Sequence, residues 1–141
     1  MQHILAIDQG TTGTTVLVLD EQLNIVGRGY QEFAQIYPKP GWVEHCPKAI
    51  LASVSTAIDS ALGDSQIAVN GLATIGITNQ RETVVLWDKR TGEPVHNAIV
   101  WQDRRTSKFC DELRDAGLSD MIKKQTGLVL DAYFSGTKIR W

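Results

Sequence analysis

A short segment near the N-terminus places a carboxylate directly before a turn of small and hydroxyl-bearing residues. An apolar, strand-like run ends at Asp8, residues 9–13 form the turn, and a second run rich in β-branched residues follows. A small residue such as Gly13 lets backbone N–H groups approach an anion closely, and the hydroxyls of Thr11 and Thr12 add donors. We expect Asp8 to hold Mg²⁺ through water, because that ion keeps much of its hydration shell. The segment predicts a phosphate-binding turn of the kind that phosphoryl transfer requires.

An ordinary hairpin is the alternative interpretation of the same turn. In that case the threonines serve β-propensity rather than anion binding. The segment also matches neither of the common glycine-rich nucleotide fingerprints, so its composition alone leaves both interpretations open.

A run of polar residues at 78–83 lies between two apolar segments and provides a second candidate site. Arg81 offers a fork of donors and the adjacent Glu82 offers an acceptor, so the pair can satisfy a polyol hydroxyl from both sides. The alternative is a solvated turn with a surface ion pair, worth at most about 1 kcal/mol.

Aromatic residues extend this candidate site. Trp101 ends a short apolar run, where an indole can wall one face of a small ligand and cover its CH groups. Tyr133 precedes a predicted helix and can hydrogen-bond a ligand. Core packing explains both residues equally well. Asp103, two residues after Trp101, is interpreted as a cap of the following helix.

Hydrophobic periodicity predicts an α/β chain whose first three strands form an antiparallel meander. We predict strands at 4–7, 14–20, 25–33, 71–77 and 83–87, of which 71–77 is buried. We predict helices from Pro47 to Gly63, at 103–114, at 119–124, and from Ser135 or Gly136 onward. The final turn shows neither a cap nor a polar tail, which predicts that the natural product continues beyond Trp141.

Composition narrows the functional class further. The chain has 141 residues, 43% of them hydrophobic and 21% charged, which is typical of one globular domain. A net charge of −2 gives no electrostatic reason to expect nucleic acid or an anionic membrane as a partner. Cys46 and Cys110 lie far apart, so we expect no disulfide and a reducing, cytoplasmic environment. Membrane insertion is not expected, because no apolar run approaches the ~20 residues of a membrane helix.

Five segments together resemble the glycerol kinases, which belong to a larger family of sugar and polyol kinases. The segments are DQGTT at Asp8, GWVEH at Gly41, ITNQRET at Ile77, NAIVWQDRRT at Asn97, and TGLVLDAYFSGTKIRW at Thr126. They span nearly the whole chain, and their combination is specific.

The resemblance implies an actin-like, ribonuclease-H-like mixed sheet with flanking helices, of which residues 1–141 are the N-terminal part of the first of two domains. It implies transfer of phosphate from ATP, with Mg²⁺, to glycerol, giving sn-glycerol 3-phosphate and ADP in glycerol catabolism. A homodimer or homotetramer is implied for the full-length protein. Another polyol or sugar as substrate, or a non-catalytic actin-like nucleotide-binding module, remain alternatives.

The resemblance also assigns roles to individual residues. It implies that Thr11, Thr12 and Gly13 contact the nucleotide phosphates and that Asp8 is the magnesium-associated carboxylate. It implies that the contacts to glycerol come from Arg81, Glu82, Trp101 and Tyr133. The catalytic base, an aspartate, is implied to lie beyond Trp141, so we expect the 141-residue chain to be inactive alone.

Two positions depart from the family pattern. The family carries an arginine that contacts nucleotide phosphate where this chain has Thr15. It also carries an aspartate, a natural helix cap, where this chain has Cys46. We expect the second departure to lower stability by about 1 kcal/mol.

Overall fold

The computed structural model describes residues 2–141, which form two compact units. Unit 1 comprises the chain up to residue 34 together with 46–80, and unit 2 comprises 35–45 together with 81–141. Each unit is therefore assembled from two separate stretches of sequence. In chain order the elements are β1 (His3–Gln9), β2 (Gly13–Leu19), β3 (Ile25–Glu32), β4 (Gln35–Ile36), β5 (Glu44–His45), α1 (Pro47–Ser65), a 3₁₀ turn (Val69–Gly71), β6 (Leu72–Thr78), β7 (Ala98–Ile99), α2 (Ser107–Asp115), α3 (Ser119–Thr126) and α4 (Ser135–Arg140).

Unit 1 is built on a mixed four-stranded sheet in the order β3-β2-β1-β6. The first three strands pair antiparallel, which confirms the predicted meander. β6 returns after α1 to pair parallel with β1, as a strand reached through a helical crossover does. In this register Asp8 at the end of β1 lies between Thr15 on β2 and Thr78 on β6.

Helix α1 packs directly on the sheet, and small residues allow the close approach. A Cβ added to Gly29 would lie 2.0 Å from the carbonyl oxygen of Ala57, and one added to Gly27 would lie 2.5 Å from that of Ala61. Both alanines are fully buried. The core of unit 1 is therefore the layer between α1 and the strands, and its buried apolar residues are Leu5, Ile7, Val16, Val18, Ala57 and Ala61.

Two expectations for unit 1 were wrong in detail. Helix α1 does not end at Gly63 but continues to Ser65 and closes at Gln66, which has a left-handed φ of 55°. The strand predicted at 71–77 exists but is not buried, since Ile75 and Ile77 are 56% and 73% exposed. In the described chain β6 forms an edge of the sheet with β1 as its neighbour, which leaves its apolar side chains open.

Unit 2 contains a small antiparallel sheet in the order β4-β5-β7, followed by the helices α2 to α4. The strand predicted at 83–87 was wrong, because this segment makes only two isolated bridges, Val84 with Ile99 and Trp87 with Pro94. Proline lacks the N–H that a continuing ladder requires. The helix predicted from Asp103 begins later, at Ser107.

Within residues 2–141, no helix combines the length and the apolar character needed to cross a membrane. Cys46 and Cys110 are both free thiols.

Candidate phosphate and polyol sites

The predicted phosphate turn in unit 1 is closed by its own backbone and braced by two buried glutamines. The N–H of Gly10 donates to the carbonyl oxygen of Gly13 at 2.9 Å. The side-chain amide of Gln80 donates to Gln9 Oε1 at 3.1 Å and that of Gln9 donates to the Gly10 carbonyl at 2.8 Å. These bonds hold the loop between β1 and β2 in one shape, which favours anion binding by pre-formed donors.

Packing within unit 1 requires a glycine at position 13. It is buried at the start of β2, and an added Cβ would lie 2.8 Å from the carbonyl oxygen of Gln31 and 2.9 Å from the ring of Tyr30. The next residue, Thr14, is fully buried and shares a 2.7 Å hydrogen bond with the hydroxyl of Ser53 on α1. The turn is thus anchored to the core of unit 1 on its C-terminal side.

The remaining residues of the turn are accessible. Asp8 and Thr12 are exposed and Thr11 is half-buried. In the described chain no group of three or more His, Cys, Asp or Glu residues forms a metal cage. A single exposed carboxylate suits Mg²⁺, which is commonly held by one carboxylate, by water and by substrate phosphates. The site therefore fits the predicted ion without supplying a full ligand set of its own.

In unit 2, Glu82 is held in an unusual conformation. Its φ of 64° is left-handed, which side chains other than glycine rarely adopt. Its carboxylate Oε2 accepts hydrogen bonds from the hydroxyl of Ser135 at 2.6 Å and from the N–H of Ser135 at 2.8 Å. The Ser135 hydroxyl lowers the pKa of Glu82, an effect that burial opposes and the Ser135 N–H reinforces. Glu82 is therefore an oriented, ionised acceptor.

Two aromatic residues lie on segments that are linked to this turn. Trp101 and Tyr133 meet edge to face with their ring centroids 5.7 Å apart. The N–H of Trp101 donates to the hydroxyl of Thr83, the neighbour of Glu82, at 3.3 Å. Tyr133 is two residues from Ser135, the partner of Glu82. Hydrogen bonds and a ring contact therefore link the segments that carry Glu82, Trp101 and Tyr133, while Arg81 lies exposed next to Glu82 in the same turn.

A buried charge cluster fixes the segment that carries Trp101. The guanidinium of Arg105 donates to Asp103 Oδ2 at 2.8 Å and to Glu44 Oε1 at 2.7 Å, and the side chains of all three are nearly inaccessible. The guanidinium carbon of Arg105 also lies 3.8 Å and 4.6 Å from the ring centres of Trp42 and Trp141, which meet edge to face. The cluster thus ties the segment after Trp101 to the loop before β5.

Asp103 therefore has a different role from the predicted one. The sequence suggested that it caps the next helix, but α2 has no side-chain cap. The Asp103 carboxylate instead accepts the N–H of Val43 at 2.7 Å and the N–H of Arg105 at 2.8 Å. The hydrogen bonds of this carboxylate therefore stabilise the fold of unit 2.

Comparison with known proteins identifies the family. Residues 3–141 match the N-terminal domain of the FGGY family of carbohydrate kinases. The chain belongs to this family. The match covers nearly the whole of the described chain, and both candidate sites lie inside it.

Curated relatives of this FGGY domain include two proteins named glycerol kinase. That of Allorhizobium ampelinum is 59% identical over 138 residues, which are 98% of this chain and 28% of the relative. That of Petrotoga mobilis is 56% identical over 140 residues, which are 99% of this chain and 28% of the relative. The chain thus spans just over a quarter of the length of these relatives.

Solved structures show the same fold. Glycerol kinase of Plasmodium falciparum with ADP superimposes with a TM-score of 0.90 at 39% identity, over 100% of this chain and 28% of that one. Ligand-bound xylulose kinase of Lactobacillus acidophilus gives 0.91 at 23% identity, over 100% and 28%. The mixed α/β fold of actin-like sugar kinases predicted from the motifs is therefore confirmed.

Sequence reasoning missed the residues that support this FGGY site. Gln9 and Gln80 flank the phosphate turn, and Ser135 and Lys138 lie beside Glu82 and Tyr133 (the contact of Lys138 is with the Tyr133 carbonyl). The available signal was position, since Gln9 ends β1 and Gln80 follows β6 by two residues, within the polar run at 78–83. Nothing in the local pattern distinguishes Lys138 from a surface lysine, although it is only 2% exposed.

Proposed function

We propose that the full-length protein carrying this domain phosphorylates glycerol with ATP, giving sn-glycerol 3-phosphate and ADP. The observation that carries the proposal is the grouping in unit 2 of an oriented carboxylate, Glu82, with the rings of Trp101 and Tyr133. Arg81, the residue before Glu82 in the same turn, is a source of hydrogen-bond donors. Relatives more than half identical over almost this whole chain are named glycerol kinase, which supports glycerol over other polyols.

The roles of the residues follow from their chemistry. Glu82 accepts a hydrogen bond from one glycerol hydroxyl, and Arg81 and the Tyr133 hydroxyl interact with the oxygens of glycerol. Trp101 covers the CH groups of the three-carbon backbone. Together these contacts orient a terminal hydroxyl for in-line attack on the transferred phosphoryl group.

The turn in unit 1 binds the phosphates of ATP or ADP. Backbone N–H groups around Gly13 and the hydroxyls of Thr11 and Thr12 supply donors to phosphate oxygens. Asp8 would hold Mg²⁺ through water, and the ion would supply positive charge to offset that of the phosphates. Thr15 supplies no guanidinium, so nucleotide affinity depends more strongly on the backbone of the turn.

The aspartate that accepts the hydroxyl proton is proposed to lie in sequence beyond Trp141, as in the family resemblance. The 141-residue chain on its own is then expected to transfer no phosphate, because proton removal and closure around the substrate both require other groups. We place the full-length protein in the cytoplasm as a homodimer or homotetramer.

The test uses the product of the complete natural reading frame, assayed with ATP and a panel of glycerol, pentuloses and gluconate. We expect phosphorylation of glycerol, and a double variant with Arg81→Ala and Glu82→Ala should lose glycerol affinity while nucleotide binding stays unchanged. Activity on a pentulose without activity on glycerol would assign the domain to another kinase of the family. Nucleotide binding without any phosphorylation, unaffected by the double variant, would support a non-catalytic module.

A further inference from the structure

The short helix α4 contacts two of the residues that we propose bind glycerol, and it does so through side chains that have no assigned role. Ser135 contacts the carboxylate of Glu82, and Lys138 contacts the backbone of Tyr133. We propose that α4 positions the glycerol-binding residues, with Ser135 and Lys138 as positioning residues. This inference rests on the proposed function and deepens it.

The contact with Ser135 restricts Glu82 strongly. Both donors of Ser135, its N–H and its hydroxyl, bond to the same oxygen, Oε2, at 2.8 Å and 2.6 Å. Two bonds to one oxygen limit rotation of the carboxylate. They also make the position of the carboxylate depend on the position of α4. The left-handed φ of Glu82 adds a reason for such restraint, because a strained backbone persists only where its surroundings hold it.

Lys138 restrains Tyr133 from the other side. Its side chain is buried, and its ammonium donates to the carbonyl oxygen of Tyr133 and, at 3.5 Å, to that of Phe134. The N–H of Tyr133 donates to Asp131 Oδ1 at 2.7 Å. The peptide groups on both sides of the Tyr133 Cα are therefore fixed, which sets the direction in which its side chain leaves the backbone.

Burial lowers the pKa of Lys138, and the charges that face its ammonium act in both directions. Glu82, Asp103 and Asp131 attract the ammonium and oppose the effect of burial, whereas Arg104 adds to it. A buried charge of this kind is expensive unless it is paired and hydrogen-bonded. Placing one between two proposed substrate contacts is consistent with a need for a fixed geometry there.

The experiment compares Ser135→Ala and Lys138→Met in the product of the complete reading frame with Ser119→Ala and Lys124→Met. The two controls make the same chemical changes on α3. Loss of one hydrogen bond to a charged group predicts a KM for glycerol raised about tenfold in Ser135→Ala. The KM for ATP should stay near the wild-type value, as should all constants of the controls. Ser135→Thr, which keeps the hydroxyl, should restore most of the affinity.

A double-mutant cycle separates positioning from general stability. If Ser135 acts through Glu82, adding Ser135→Ala to Glu82→Gln should raise the KM for glycerol much less than it does in the wild type. Full additivity, or a Ser135→Ala enzyme that behaves like Ser119→Ala, would overturn the inference while leaving the proposed function intact. A wild-type protein without activity on glycerol would instead refute the proposed function and the inference with it. Ser135→Ala decides the question by itself if Lys138→Met does not fold.

Discussion

Arg105→Met should destabilise unit 2 strongly, because it removes the guanidinium that joins two buried carboxylates. The side chains of Arg105 and Asp103 are 0% exposed and that of Glu44 is 5% exposed. Methionine keeps much of the volume beside the rings of Trp42 and Trp141 but cannot pair with either carboxylate. Removing one partner of a buried ion pair typically costs about 3–5 kcal/mol, and we expect a loss of free energy of unfolding in that range at neutral pH.

The neighbouring residue provides a matched control for this change. Arg104 also pairs with a carboxylate, Asp131, at 2.6 Å, but its side chain is 51% exposed. Exposed pairs contribute about 0–1 kcal/mol, so Arg104→Met should have a small effect. Urea unfolding of the 141-residue chain, followed by circular dichroism and by tryptophan fluorescence, measures both. Equal losses in the two variants would refute the argument that burial sets the strength of the Arg105 cluster.

The pH dependence offers a second check on the same reasoning. Burial raises the pKa of Glu44, but hydrogen bonds from Asn97 and Arg105 outweigh it, so the folded-state pKa lies below its ordinary value. Glu44 therefore stabilises the wild type above the unfolded-state pKa of about 4.3, and this contribution is lost as the pH falls through the folded-state value. In Arg105→Met burial acts without the guanidinium. The deficit of the variant should accordingly be largest near neutral pH and should narrow on acidification, and a deficit independent of pH would contradict this account.

Two further substitutions test local features of unit 1 by the same unfolding assay. Gly13→Ala places a Cβ 2.8 Å from a backbone oxygen and should lower the free energy of unfolding by about 1–3 kcal/mol. Gly63→Ala lies in a helix, and its added Cβ would meet no atom within 4 Å, so it should raise the free energy of unfolding by up to about 1 kcal/mol. Two changes of equal sign would be evidence against the packing argument. Cys46→Asp should stabilise by about 1 kcal/mol relative to Cys46→Ala, because Cys46 occupies the N-cap of α1 without a side-chain cap bond; an unchanged midpoint would show that Pro47 and the existing backbone bonds already suffice.

The meander and the main helix of unit 1 were predictable because local signals agree with the fold there. β-branched runs separated by polar turns gave β1 to β3, and the apolar stripe after Pro47 gave α1. The exposure of the apolar side chains of β6 was not predictable in the same way. An apolar sequence such as that around Ile75 and Ile77 indicates a strand, but which neighbours cover it depends on tertiary partners that a local pattern does not contain.

The supporting contacts of the polyol site were out of reach for a similar reason. Arg81 and Glu82 attract notice because they are adjacent and polar, but no sequence rule places a glutamate at a φ of 64°. The bond between Glu82 and Ser135 spans a long stretch of chain, as does the pair formed by Glu44 and Arg105. Such contacts depend on how separate segments meet, and two distant segments, 35–45 and 81–141, form unit 2.

The proposed substrate contacts of unit 2 all lie on irregular backbone, yet three of the four are fixed by hydrogen bonds to other residues. Glu82 is held by Ser135, the backbone of Trp101 by Thr83, and that of Tyr133 by Asp131 and Lys138. Loops without such restraints sample several conformations, and an ångström of misplacement weakens orientation of a small substrate considerably. Glycerol has few atoms with which to select a conformation by its own binding energy. Its recognition should therefore depend on geometry that unit 2 fixes in advance, and substitutions in the positioning residues should raise KM even though they touch no substrate atom.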